Sequence, residues 1–260
     1  MKKLLFIMGT FMFAIGGYAQ DDDFGIWNSI EGQKKINKKI DISFEGEHRT
    51  RNNAIDHDRW SIGVDGSYKY KKWLKASAGY TFLYDNNERI SYYDIDDKKV
   101  VNGAVNAGEP KKRAEYWAPR HRFHVSLTAS KSFGNFEVSL RERWQYTYRP
   151  EKTVSSRYSY WDEEWDEEEH TYRGKGKNVL RSRFQVEYKL KPIGLTPFAS
   201  IELTNGWDVQ KTRYTIGTDY KISKQHALEL FYRYQDIRGN DDFELEPDMH
   251  ILGVGYKFKF

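Results

Sequence analysis

The sequence predicts an all-β protein: an antiparallel transmembrane β-barrel of about 10–12 strands, with short periplasmic turns and longer extracellular loops. Three observations predict this class. The chain starts with an export signal, apolar and polar residues alternate with period two through most of its length, and the final alternating segment ends on an aromatic residue. The alternation is typical of strands that face lipid on one side and a polar lumen on the other.

The N-terminal residues have the features of a cleaved signal peptide. Two lysines precede an apolar run over residues 4–15, and the small residues Gly17 and Ala19 stand just before a cleavage site after Ala19. The run is too short to span a bilayer as a helix. We therefore expect residues 1–19 to be removed and residues 20–260 to form one outer-membrane barrel domain.

Composition excludes several other classes. Aromatic residues make up 16% of the chain, which a disordered protein would lack, and charged residues make up 31%, which a helical membrane protein would lack. The absence of cysteine excludes disulfides and thiolate metal sites. Removing Lys2 and Lys3 with the signal lowers the formal charge from +4 to +2, which is too balanced to indicate nucleic-acid binding. No cofactor and no metal site are expected.

Ten segments alternate over lengths suited to tilted membrane strands, which need about 9–11 residues. They are residues 40–51, 59–70, 74–84, 120–131, 136–149, 180–190, 196–205, 212–221, 227–236 and 249–260. Residues 24–34 resemble an eleventh strand, whereas single-chain bacterial barrels have even numbers. A soluble barrel would alternate with its faces inverted. Aromatic residues near the strand ends favour the membrane instead, because they would form interfacial girdles.

The C-terminal Phe260 sets the expected orientation. If it is periplasmic, the short turns near 71–72, 132–135, 191–195 and 222–225 are periplasmic too. The connections 52–58, 85–117, 150–177, 205–211 and 237–248 are then extracellular. We expect the last strand to be recognised by the barrel-assembly machinery, and the outer surface to contact outer-membrane lipid and lipopolysaccharide.

Pairs of arginines two residues apart are the most distinctive internal feature, because a step of two keeps both side chains on one strand face. The lumenal arginines are Arg49, Arg51, Arg120, Arg122, Arg141, Arg143, Arg181 and Arg183, and their candidate acidic partners are Glu45, Glu47, Glu187, Glu202 and Glu229. One interpretation is a belt that attracts small anionic solutes into a narrow pore or binding barrel. The other is a structural Arg–Glu lattice that fills and stiffens the barrel.

Two further segments suggest external functions. Residues 161–170 contain seven carboxylates and two tryptophans. They form either a solvated acidic loop or a site for divalent cations, and the tryptophans could contact a partner or lipopolysaccharide sugars. Residues 89–101 could form a hairpin beyond the membrane.

The alternative function is an outer-membrane acyl hydrolase that uses Ser126 and His124. These residues share one strand face, and a Ser–His pair is the starting point of nucleophilic acyl transfer. The pair loosely resembles the His-x-Ser of outer-membrane lipid A deacylases, but Ser126 is followed by Leu127 and not by the Ser-Asn of that motif. We therefore expect no enzyme activity.

Several motifs together resemble the domain of unknown function 2490 family, outer-membrane barrels common in Bacteroidota. They are Trp27, residues 45–51, the lumenal residues 141–143 and residues 197–202. The resemblance covers nearly the whole mature chain. It implies a barrel and supplies no catalytic residues.

Overall fold

The computed structural model describes residues 22–101, 104–206, 208–238 and 247–260. The predicted signal peptide lies outside the described residues. No helix among the described residues has the length and apolar character needed to cross a membrane.

The chain forms fifteen strands within the described ranges. In order they are β1 (Asp23–Lys35), β2 (Ile40–Arg51), β3 (Asp56–Lys71), β4 (Leu74–Tyr92), β5 (Pro110–Phe133), β6 (Phe136–Arg149), β7 (Lys152–Val154), β8 (Arg157–Ser159), β9 (Glu164–Asp166), β10 (His170–Tyr172), β11 (Lys175–Tyr188), β12 (Leu195–Asn205), β13 (Val209–Lys221), β14 (His226–Ile237) and β15 (Met249–Lys259). A helical turn at Lys98–Val101 and a 3-10 turn at Lys191–Ile193 lie between strands.

Eleven of these strands close into a barrel, and β7 to β10 lie outside it. Sequential neighbours pair antiparallel, and the barrel is closed by β1 pairing with β15 in parallel, from Asp23 opposite Met249 to Gln33 opposite Lys259. The barrel class and the strand range are confirmed. Residues 24–34 belong to a full strand, so the barrel has eleven strands and departs from the even number usual in single-chain bacterial barrels. In an antiparallel meander with an odd number of strands, the first and last strands run in the same direction. β1 and β15 therefore pair through the hydrogen-bond pattern of parallel strands.

The connections segregate to the two ends as the sequence predicted. The short turns and Phe260 share one end, and the longer connections at 93–109 and 150–174 share the other. Because β1 runs parallel to β15, Asp22 lies at the long-loop end, opposite Phe260. The two termini of the described barrel are therefore on opposite sides.

Side chains alternate between the lumen and the outside, so the barrel has no single apolar core. The outward face carries large exposed apolar residues on every barrel strand, while most of the buried side chains in the lumen are polar. Buried apolar residues form two small clusters. One contains Trp27, Met249 and Ile251, with Phe231 packed against it.

The second cluster lies where β4 and β5 continue beyond the other strands. β8 adds to the edge of this extension through Lys112 and Ser159. Ala114, Tyr116 and Ala118 of β5 pack against Val154 of β7, and the Tyr116 ring stacks on Tyr172 of β10 at 5.1 Å. The 150–174 connection therefore folds onto the inner face of the extension. The separate hairpin predicted for residues 89–101 is not formed, because β4 itself runs to Tyr92.

Two glycines make room for Phe231 in the lumen. Gly217 of β13 and Gly253 of β15 lie directly opposite Phe231 on either side, and a Cβ atom on Gly253 would overlap its ring. By contrast, a Cβ on Gly46 would meet no atom within 4 Å. The Gly253 position thus depends on having no side chain.

We expect Gly253→Ala to destabilise the folded barrel by about 1–3 kcal/mol, the usual cost of overpacking. Gly46→Ala is the matched control and should have little effect. The measurement is the urea midpoint of the refolded barrel, followed by tryptophan fluorescence. Equal midpoints for the two variants would show that Phe231 moves aside without cost.

Candidate functional site: an arginine-rich lumen

A cavity of about 360 Å³ lies in the lumen, and its lining is strongly cationic. Among the described residues, nine arginines and two lysines line it, against three glutamates. Six of the eight arginines predicted from sequence are in this lining: Arg49, Arg122, Arg141, Arg143, Arg181 and Arg183. Alternation places them there because each is in step with the other lumenal residues of its strand.

At one side of the cavity, two arginine pairs meet. Arg143 and Arg141 of β6 lie directly opposite Arg181 and Arg183 of β11. We call these four residues the four-arginine cluster. Like charges directly opposite each other on neighbouring strands destabilise a sheet. The arrangement therefore needs negative charge from elsewhere.

Within the described residues, Glu202 of β12 is the single carboxylate paired with this cluster. Its Oε2 accepts a hydrogen bond from Nη2 of Arg141 at 2.5 Å, and its Oε1 accepts one from Nη2 of Arg181. Arg213 approaches the same carboxylate, with Nη1 at 3.9 Å from Oε1. Three guanidinium groups thus approach the same carboxylate.

The other two members have no such partner. No carboxylate among the described residues lies within ion-pair distance of Arg143 or Arg183. The Nε of Arg143 donates to Oγ of Ser126 at 3.0 Å, whereas the buried Nε atoms of Arg141 and Arg183 have no acceptor. Buried donors are normally satisfied, so these groups require an explanation.

Trp27 holds a second group of arginines across the lumen. The Cζ of Arg49 lies 3.7 Å from its ring centroid, and those of Arg233 and Arg213 lie at 5.0 and 5.2 Å. These distances are typical of cation–π contacts. The sequence argument overlooked Arg233, although the period-two pattern of β14 places it on the lumenal face.

The remaining predicted arginines lie outside the cavity lining. Arg51 approaches Asp58 at 4.0 Å and Glu115 at 3.9 Å. Arg120 shares Asp85 with the lining residue Arg59, and their Nε atoms lie 2.9 and 2.6 Å from its two oxygens. Asp85 was missed by sequence reasoning and is almost fully buried.

The predicted acidic partners divide between two levels of the barrel. Glu45 and Glu47 line the cavity, and Glu47 pairs with Arg49 at 2.7 Å. Glu187 and Glu229 lie toward the Phe260 end. There Glu187 accepts a hydrogen bond from Gln185, and Glu229 pairs with Lys257 at 2.8 Å.

Glu142, grouped with the lumenal residues 141–143 in the sequence analysis, faces outward. Its two neighbours both point into the lumen, so alternation directs Glu142 to the opposite face. There it accepts a hydrogen bond from Oγ of Ser182 at 2.6 Å.

The candidate hydrolase residues are both buried on the lumenal face of β5. Nε2 of His124 lies 2.5 Å from Oδ2 of Asp65, and this contact crosses Gly79 of β4, which has no side chain to block it. Ser126 is bonded to Arg143, and among the described residues no hydrogen bond joins it to His124. The expectation of no enzyme activity and the alternative hydrolase both stay predictions, and Asp65 is the partner of His124 that sequence reasoning missed.

The acidic loop is partly tied down. Asp166 accepts a hydrogen bond from Lys112, and Glu168 approaches Lys112 at 3.5 Å and Arg157 at 3.7 Å. The bond from Lys112 lowers the pKa of the Asp166 carboxyl below its usual range. In the described part of the chain, no group of three or more His, Asp or Glu side chains is arranged to hold a metal ion.

We expect Lys112→Gln to loosen this loop and raise its cleavage by glutamyl endopeptidase at neutral pH roughly two- to fivefold, as for a partly exposed ion pair. Because the pKa of Asp166 is lowered, the bond is complete at neutral pH and is lost only as the pH falls through that lowered pKa. The matched control is Lys111→Gln, whose partner is Asp97. Equal cleavage of both variants would contradict the anchoring role of Lys112.

A closed barrel with an apolar exterior and a charged lumen is the architecture of membrane β-barrel proteins. The chain belongs to the family described as "Protein of unknown function (DUF2490)", whose profile matches residues 24–244. No curated protein matches the chain.

Solved structures with similarity to the chain include bacterial barrels. The β-domain of the Bordetella autotransporter BrkA is 10% identical with a TM-score of 0.48, covering 84% of this chain and 79% of that one. The translocator domain of the autotransporter NalP from Neisseria meningitidis is 10% identical with a TM-score of 0.49, covering 78% and 71%. A Pseudomonas aeruginosa FadL homologue is 10% identical with a TM-score of 0.39, covering 83% and 61%.

Proposed function

We propose that this protein is an integral outer-membrane β-barrel, without enzyme activity, whose lumen binds and conducts small anionic solutes. The observation that carries the proposal is the pair Arg143 and Arg183 of the four-arginine cluster, which line the cavity and have no carboxylate within ion-pair distance among the described residues. A lattice of matched charges would give each of these two arginines an acidic partner.

The exterior supports the membrane location. Leu127, Leu140 and Phe184 are neighbours on the outward face, and each is about half exposed, at 55%, 49% and 50%. Apolar surface of this kind continues around the barrel. A soluble protein rarely exposes so much contiguous apolar surface, whereas lipid covers it at no cost.

Aromatic residues mark both ends of the apolar band. Trp60 and Trp144 are exposed toward the long-loop end, and Tyr70, Trp73 and Phe260 toward the other. Aromatic rings at these two levels are typical of interfacial girdles, which would contact lipid and lipopolysaccharide. The exposed Phe260, at the end of β15, is the feature we propose for recognition by the barrel-assembly machinery.

The chemistry of the lumen supports anions as the solutes. A guanidinium group donates two parallel hydrogen bonds to a carboxylate or phosphate, which adds geometric selection to charge attraction. Narrow passages lined by one sign of charge concentrate the opposite ion. Ser126 is already occupied by Arg143, which argues against a nucleophilic role.

The orientation can be tested with single thiols, because the chain has no native cysteine. In intact cells, a maleimide attached to a polymer too large to cross the outer membrane should label Glu167→Cys in the 150–174 connection. Lys224→Cys, in the turn at 222–225, should be labelled only after the membrane is permeabilised. The reverse pattern would invert the proposed orientation, and equal labelling of both sites in intact cells would exclude a spanning barrel.

Conduction can be tested with the purified barrel in planar bilayers under a potassium chloride gradient. We expect an anion-selective reversal potential that falls toward zero in Arg143→Gln combined with Arg183→Gln. Arg173→Gln, in an exposed position outside the cavity lining, is the control for loss of one charge. Silent bilayers would contradict the conducting part of the proposal, and cation selectivity would contradict the whole of it.

A further inference from the structure

The four-arginine cluster has a charge that constrains its ligand. Arg143 and Arg183 lie at diagonal positions of the cluster and have no carboxylate within ion-pair distance among the described residues, so two guanidinium charges stand close together in the lumen. A single monovalent anion would neutralise only one of these two charges. A multivalent anion neutralises both at the same position, and Coulomb attraction is large where the lumen is narrow and the dielectric constant is low.

The cluster is also held in place before any ligand arrives. Arg141 and Arg181 each bond one oxygen of Glu202. Nη1 of Arg181 also donates to Oε1 of Gln145 at 3.0 Å. Arg143 is fixed through its Nε by Ser126, which is itself only 2% exposed. Side chains that are already ordered lose little further entropy on binding, which favours affinity.

The unused donors then select the shape of the ligand. The buried Nε atoms of Arg141 and Arg183 have no acceptor, and Arg143 and Arg183 have no carboxylate partner among the described residues. A halide ion is a single spherical acceptor, so it cannot accept hydrogen bonds from all of these differently directed donors at good geometry. A tetrahedral oxyanion offers several acceptor oxygens, and the planar fork of a guanidinium binds two of them at once.

We infer that the four-arginine cluster is a binding site for a multivalent oxyanion of the phosphate class, and that Ser126 is a positioning residue for Arg143. The inference rests on the proposed anion-binding function and narrows its ligand. The phosphate group is either inorganic or carried by a small organic molecule, since both present the same oxygens to the cluster.

The test is isothermal titration of the refolded full barrel with inorganic phosphate at neutral pH and constant ionic strength, in a phosphate-free buffer. Saturable binding is expected, with affinity lowered about tenfold or more in Arg183→Gln and in Arg143→Gln, because each loses hydrogen bonds to a charged group. Arg173→Gln should bind as the wild type does. Chloride that competes with phosphate at equal concentration would overturn the inference.

Further variants distinguish a change in the geometry of the arginine donors from a loss of folding. Arg183→Lys keeps the charge and the fold but loses the bidentate fork, so it should bind phosphate more weakly than the wild type and more tightly than Arg183→Gln. Ser126→Ala should weaken phosphate binding several-fold, and Ser126→Thr, which keeps the hydroxyl acceptor for Nε of Arg143, should restore most of that binding. Unchanged phosphate affinity in Ser126→Ala would overturn its positioning role.

Two comparisons complete the experiment. Titration with glucose 6-phosphate distinguishes the sources: binding comparable to that of inorganic phosphate assigns the site to organic phosphates as well, and its absence restricts the site to the free ion. An anion-selective barrel that does not bind phosphate overturns this inference and leaves the proposed function standing. A barrel that neither selects anions nor binds phosphate overturns both.

Discussion

Barrel closure is the constraint on which the rest of this structure depends. Within hydrocarbon, each backbone donor and acceptor has to be bonded inside the protein, so a spanning sheet can have no free edge. Here the first and last strands meet in parallel, and eleven residue pairs from Asp23–Met249 to Gln33–Lys259 join them. That pairing sets the odd strand number and places Asp22 and Phe260 at opposite ends.

Once closed, the barrel brings the inward side chains of neighbouring strands into contact, and the two levels of the lumen differ. Toward the Phe260 end, Lys257 is matched by Glu229 and Asp219, and Lys189 by Glu137. In the cavity, Arg143 and Arg183 of the four-arginine cluster have no carboxylate within ion-pair distance among the described residues. If the arginines served only to stiffen the barrel, matched ion pairs like those at the Phe260 end would suffice. A local arrangement that costs stability without compensation is more often functional.

The long-loop end has an ordered structure of its own. The extended β4–β5 hairpin provides a sheet edge for β8 and a small apolar face for Val154 and Tyr172. Lys112 then ties the acidic segment to that edge through Asp166. This folded extension therefore continues the barrel wall beyond the other strands at the long-loop end.

The sequence by itself determined the properties that depend on period two, since alternation is local. The bounds of β2 and β6, the sorting of turns to two ends, and the lumenal direction of Arg141 and Arg143 all followed from it. Only the tertiary structure decided the parallel closure, the capture of Arg141 and Arg181 by Glu202, and the contact of His124 with Asp65 across Gly79. These depend on the register between strands that are distant in sequence, and a one-residue change of register would give every lumenal side chain different neighbours.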